Sequence, residues 1–365
     1  MSKSIRKPAV VLFEDIIQDQ DKRQLDIQSA LGKAATVLVY KGEEETPQDM
    51  PVEVLLEKLL NSHSFNDGHI GLIVSDRELG RYKSGVISDS VVLAVAEKMG
   101  IPVCLYERGI KRSGTMGKLK QWKIKEIVVD GDSKNFGEEC GQVFHGFNNI
   151  ARKLEEIPGK DFKKMTPPEI LARVLDREEE IDRIALYGTG EQSVLLEILA
   201  YIDSKNPALE LKNRYPRILG NWLYTSLLRY PGILLNEIAA ASYLNIHEDD
   251  FRIPKINALF KEASYKGPFS DRGTWWWRRE LDRILENNKC ESGFDYARKK
   301  SNKQVRYCQC MEGKDHPAGF YCMINEQPVC REHSHGGVSW FPRGADLAMI
   351  SDREYKKIGP FVGLY

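Results

Sequence analysis

Four cysteines and three histidines fall between Cys308 and His335, in the run CQCMEGKDHPAGFYCMINEQPVCREHSH, out of seven of each in the 365-residue chain. Thiolate and imidazole gathered this closely suit tetrahedral zinc. In a short segment containing Gly and Pro, a bound metal can replace the hydrophobic core that the segment is too small to build. The simplest ligand set takes Cys308 and Cys310 with Cys330 and His333, the last two forming a local clamp at three-residue spacing. His316, Cys322 and His335 form a secondary set, completed by Asp315 or Cys290. A site closed by four protein ligands is structural. No HExxH or HxE…PCxxC arrangement supplies the open position and general base of a catalytic zinc, although Glu332 stands inside the clamp. Three histidines fit an iron–sulfur cluster poorly. The expected chemistry is Zn²⁺ binding, one ion or two.

A second group of candidates is acidic. Glu14 and Asp15 follow an apolar run at residues 9–13, and Asp76 and Glu78 follow another at 70–75. Further runs of strand length stand at 35–40, 103–106 and 126–129. Between them, residues 52–60 (VEVLLEKLL) and 90–99 (SVVLAVAEKM) space apolar side chains three and four apart, as amphipathic helices require. Alternating strand and helix predicts a five-stranded parallel sheet covered on both faces, with functional groups at the carboxyl ends of the strands. Carboxylates gathered there would hold Mg²⁺. The plainer role for a strand-end carboxylate is a helix cap or a solvated turn.

The phrase LIVSDREL, followed by a helix and MGIPVCLYERG, resembles the receiver domain of response regulators. That resemblance implies a flavodoxin-like fold. It would make Glu14 and Asp15 the metal-binding pair and Asp76 the phosphoacceptor. It also implies a hydroxyl after the fourth strand and a lysine after the fifth, where this chain carries Glu107 and Asp130. With neither group present, the expectation is a degenerate, phosphorylation-incompetent receiver-like domain. The same carboxylates, with Asp76-Arg77-Glu78, also resemble the acidic arrangement of TOPRIM domains. This implies Mg²⁺-dependent phosphoryl transfer or nuclease chemistry by Glu14, Asp15, Asp76 and Glu78. The usual glycine after the glutamate is replaced by Asp15. In the C-terminal segment, FYCMINEQPVCREH loosely resembles the second half of B-box-type cross-braced zinc modules, departing from them at Cys308-x-Cys310.

The rest of the chain reads as α-helical. After the Pro-containing linker IPGKDFKKMTPPE, helical patterns cover residues 169–186, 191–203, 219–229, 234–244, 255–263 and 276–286, with Pro216, Pro231 and Pro254 marking joints. The fold class expected is multidomain α/β plus α: a receiver-like βα domain (1–157), a helical domain (158–289) and a zinc-binding module (290–365). Basic residues cluster at 108–125 around Trp122, and again at Lys299, Lys300, Lys303 and Arg306. The triplet Trp275-Trp276-Trp277 cannot place all its rings on one helical stripe, so one of them, Trp276 among the candidates, is expected at a domain interface, a partner or a nucleobase.

Composition narrows the partners. Lys+Arg and Asp+Glu both number 53, so bulk charge favours neither nucleic acid nor membrane. No apolar run approaches the roughly 18 residues of a membrane span. The N-terminal residues carry no signal-peptide pattern, and clustered cysteines suit a reducing compartment, so a cytoplasmic location is expected. The functions expected are three: a regulatory protein that binds a protein partner, the Mg²⁺-dependent enzyme, or a nucleic-acid-binding protein using Lys299, Lys300, Lys303, Arg306 and Trp276.

Overall fold

The computed structural model describes residues 7–41, 50–62, 69–79, 87–109, 126–162, 164–188, 207–301, 304–313 and 315–359. Its backbone groups into two units. One holds residues 1–111, 125–164 and 204–221; the other holds 112–124, 165–203 and 222–365. The helical segment and the Cys/His segment, read separately from sequence, thus share one unit, and residues 204–221 belong to the first.

In the first unit the apolar runs become strands β1 (Ala9–Phe13), β2 (Thr36–Tyr40), β3 (Ile70–Asp76), β4 (Val103–Glu107) and β5 (Ile127–Asp130). All neighbouring pairs are parallel, in the order β2-β1-β3-β4-β5. With helices interleaved along the chain, this is the flavodoxin-like arrangement. All five residues of β1 are buried. Successive side chains point to opposite faces of a strand, so both faces of the sheet are covered. Helices α1 (Ile17–Leu31) and α4 (Phe136–Glu156) pack together, as do α2 (Val52–Leu60) and α3 (Asp89–Met99). Val11, Phe13, Ile73 and Val103 share a core with Leu56, Leu60, Val92 and Val95 of α2 and α3.

In the second unit a capping box of Thr166 and Glu169 opens a helix over Pro167–Val174. Several helical expectations change. Residues 169–186 form two helices separated by a 3₁₀ turn, Glu178–Glu180. The pattern at 219–229 joins the end of the helix Pro207–Trp222, which runs through Pro216, to a π-helical turn at Leu223–Leu227. Residues 255–263 take up one α turn and a 3₁₀ stretch. Residues 191–203 lie outside the described residues.

The patterns at 234–244 and 276–286 both open in a strand. β6 (Leu234–Asn236) pairs antiparallel with β7 (Trp275–Trp277), and helices Glu237–Tyr243 and Arg278–Asn287 follow them directly. Three-residue strands are too short to display alternation, so the helical period that follows masks them. All three tryptophans are buried. Trp275 Nε1 donates to Leu228 O at 2.9 Å, Trp276 packs against Phe251, and the Arg177 guanidinium lies 5.1 Å from the Trp277 ring.

Four more strands form one small sheet: β8 (Phe320–Cys322), β9 (Gln327–Val329), β10 (Ser334–His335) and β11 (Ala348–Ser351), in the order β10-β11-β8-β9. Among the described residues, no helix is long and apolar enough to cross a membrane.

Candidate functional site

Parallel registry brings the acidic candidates together. Phe13 lies opposite Ser75, and Asp76 opposite Tyr106. Glu14, Asp76 and Arg108 therefore leave adjacent strand ends at the β1/β3 switch point, where open α/β sheets bind their ligands. Ligand atoms of Glu14, Asp15 and Asp76 all lie within 4.8 Å of one another.

The chain's own cation is paired with two of these three carboxylates. The Arg108 guanidinium contacts Glu14 Oε2 at 2.5 Å, Asp19 Oδ2 at 3.1 Å and Asp76 Oδ2 at 3.5 Å. Glu14, fully buried, also accepts from Arg23 Nε at 2.9 Å, Tyr106 Oη at 2.8 Å and the Ile16 amide at 2.9 Å. Those contacts with Arg108 make four donors on a carboxylate that has about four lone-pair positions. Three of these donors converge on Oε2, while Oε1 accepts from the Ile16 amide.

Arg23 holds the arrangement from the side. Its guanidinium lies 4.4 Å from the Tyr106 ring centroid and 4.5 Å from that of Phe136, and it also donates to Gly131 O. Sequence reading missed Arg23 and Gln20. Both lie on the buried stripe of α1, Gln20–Arg23–Ile27–Leu31, at helical spacing. A cation on an otherwise inward-facing stripe was the available signal.

The electrostatics follow from burial. Asp76 is pushed above the usual carboxylate range chiefly by burial, and the nearby Glu14 raises it further, against the Glu78 amide and the Arg108 guanidinium. The Tyr106 phenol is raised by burial and by the same carboxylates. Burial opposes the charge on Arg108, but Glu14, Asp76 and Asp19 outweigh it and hold the guanidinium protonated.

The remaining positions are turned elsewhere. Glu78 is exposed, and its amide caps Asp76 Oδ1 at 2.9 Å. Glu107 pairs with Arg77 at 2.5 Å and lies in register with Asp130. Trp276 has no exposed ring face on which a base could stack, which removes it as a nucleic-acid contact. Lys299 and Lys300 are exposed on the helix Gly293–Ser301. Arg306 is held by Asp249 and Asp250 at 3.2 and 2.8 Å, so its charge is locally balanced. Lys303 and the basic stretch 110–125 lie outside the described residues.

The Cys/His segment divides differently from the simplest pairing. Ligand atoms of Cys310, Cys330 and His333 lie within 4.8 Å of one another, and so do those of His316, Cys330 and Glu332. Cys308 is buried but belongs to neither group, and its amide donates to Asn245 O. Cys322 is fully buried, with its sulfur accepting from the Ser351 amide. His335 pairs with Asp352 at 2.9 Å and stacks on Tyr355.

Neither a family model nor a curated protein sequence matches this chain. Among solved structures, it is similar to one described as two RcsB dimers bound to two parallel DNAs. That match has 10% identity and a TM-score of 0.23, and spans 57% of this chain and 100% of the other. A score at that level carries no argument, so the fold assignment rests on the strand order.

Proposed function

We propose that this chain is a cytoplasmic regulatory or interaction protein. Its N-terminal flavodoxin-like domain is a receiver-like module that takes no phosphoryl group and works as a fixed docking surface for a protein partner. One observation carries this reading: Arg108 is paired with Glu14 and Asp76, two of the three carboxylates that would hold a divalent cation, and with Asp19. A close unlike pair is worth about 4 kcal/mol at an effective dielectric near 20, before solvent screening. A metal would have to displace a tethered charge that makes three such contacts. Glu107, paired with Arg77, and Asp130 stand where receiver domains carry a hydroxyl and a lysine, so neither group that would hold a phosphoryl oxygen is present. Bacterial signalling or phage defence is the setting that the receiver resemblance implies.

The test is direct. With Mg²⁺ and acetyl phosphate, the intact protein should acquire no acid-stable or hydroxylamine-sensitive label, and millimolar Mg²⁺ should leave its melting temperature unchanged. Labelling at Asp76 would overturn the reading. The carboxylate triad within 4.8 Å supports the Mg²⁺-dependent enzyme as a second reading. Metal-dependent cleavage of DNA or nucleotides, abolished by Asp76→Ala, would establish that reading instead.

A further inference from the structure

We propose that Cys310, His316, Cys330 and His333 together bind a single structural Zn²⁺, and that Cys308 is not a ligand. This inference is independent of the reading of the N-terminal unit. His333 Nδ1 lies 3.0 Å from Cys330 Sγ and 4.0 Å from Cys310 Sγ. With Zn–S near 2.3 Å and Zn–N near 2.0–2.1 Å, tetrahedral angles place sulfur and nitrogen ligands about 3.5 Å apart. The two distances bracket that value, so shifts of about half an ångström place the nitrogen correctly for both sulfurs, which lie within 4.8 Å of each other. Coordination would use Nδ1, the ring atom facing both sulfurs.

His316 is the fourth candidate on two grounds. It shares with Cys330 and Glu332 a group of ligand atoms lying within 4.8 Å of one another, so Cys330 links it to the group of Cys310 and His333. Its ring stands perpendicular to that of His333, with centroids 4.9 Å apart, as two imidazoles converging on one ion do. The backbone is shaped for this convergence. Cys310 N donates to His316 O and His316 N to Gly313 O, both at 2.9 Å, which brings Cys310 and His316 together. A Cβ on Gly313 would come within 2.4 Å of His333 Cε1 and 3.1 Å of His316 Cδ2. The turn can close over both rings only because no side chain is there.

Two thiolates and two imidazoles complete the tetrahedral shell, which is the closed, structural form of zinc site. Glu332, exposed beside His316, is the competing ligand. Cys308 lies outside both groups of ligand atoms, and the Cys322 sulfur accepts from the Ser351 amide.

The experiment takes the full-length protein purified without added chelator. Metal analysis should find one zinc per chain. Replacement by Co²⁺ should give a tetrahedral ligand-field spectrum with charge-transfer intensity for two thiolates, which counts sulfur ligands without any substitution. Cys308→Ser should keep zinc at one equivalent and leave the Co²⁺ spectrum unchanged. His316→Ala should weaken zinc binding at least tenfold, measured by chelator competition, while Glu332→Gln should leave it within about twofold. A folded protein that retains no zinc would overturn the proposal. So would a spectrum with three or four thiolates, loss of metal in Cys308→Ser, or His316→Ala binding as tightly as the parent protein.

Discussion

A carboxylate buried with four donors is held by its partners and leaves them costly to remove. Truncating Arg108 to Ala would strip one cation from Glu14, Asp19 and Asp76. Breaking a buried pair from one side typically costs about 3–5 kcal/mol, because the surviving charge stays desolvated. Urea unfolding of Arg108→Ala at neutral pH should show a loss of that order. The variant should also gain what the parent lacks, a rise in melting temperature with millimolar Mg²⁺. Arg108→Lys should rescue only part of the loss, since an ammonium cannot match the planar fork of a guanidinium.

Asp76 makes the opposite prediction. Its folded pKa is raised, chiefly by burial, above the ordinary value of 3.8. The folded state therefore holds the proton more tightly than the unfolded one, and stability falls as pH rises through the folded value. Asp76→Asn keeps an acceptor for the Glu78 amide and removes the charge. It should melt higher than the parent at pH 7 to 8, with the difference closing as pH falls towards 4. A difference that grew on acidification would contradict the assignment. Arg108 stood in plain view in the sequence as part of a basic loop. Its role was not legible there, because a guanidinium's partners depend on three strand ends that meet only after folding.

Among the elements, the parallel strands were the most legible. Fully buried strands read as unbroken apolar runs, and the five expected runs fall within two residues of the observed strands. The β6–β7 ribbon was not legible. Leu-Leu-Asn and Trp-Trp-Trp carry no alternation, and each is followed at once by a helix whose period masks it. Packing between elements depends on details that patterns omit. At the start of α4, a Cβ on Gly137 would meet Asp26 O of α1 at 2.3 Å. Backbone cannot yield as a flexible side chain does, so Gly137→Ala should push α1 and α4 apart. An overpacking cost of about 1–3 kcal/mol is expected by chemical denaturation. By contrast, Gly159→Ala faces open space and should have little effect.

For the whole molecule, a chain that groups into two units predicts more than one unfolding transition. Trp276 is fully buried in the second unit against Phe251, and such truncations cost about 3–5 kcal/mol. Trp276→Ala should lower the transition of that unit, followed by hydrogen exchange in residues 234–301, while β1–β5 keep their protection. The backbone groups the Cys/His segment with the helical segment. Ser242 Oγ donates to Phe320 O at 2.7 Å and accepts from Gly319 N at 3.0 Å, and Cys308 N reaches Asn245 O. Long-range hydrogen bonds of this kind leave no mark on a local sequence pattern. The density of cysteine and histidine was visible from the start, but their grouping was not, since it is set by a turn at Gly313 and not by spacing alone.

A cation written into the chain as Arg108 has a further consequence. An ion can be drawn off by a chelator, exchanged for a competitor or starved from the medium. A residue is present in every copy from synthesis to degradation. On the reading proposed here, the N-terminal surface has one setting and carries no memory of recent events. Whatever it reports to a partner must then be encoded in how many copies exist and where they are. Partner binding should accordingly be indifferent to EDTA, Mg²⁺ and phosphodonors, while tracking protein concentration alone.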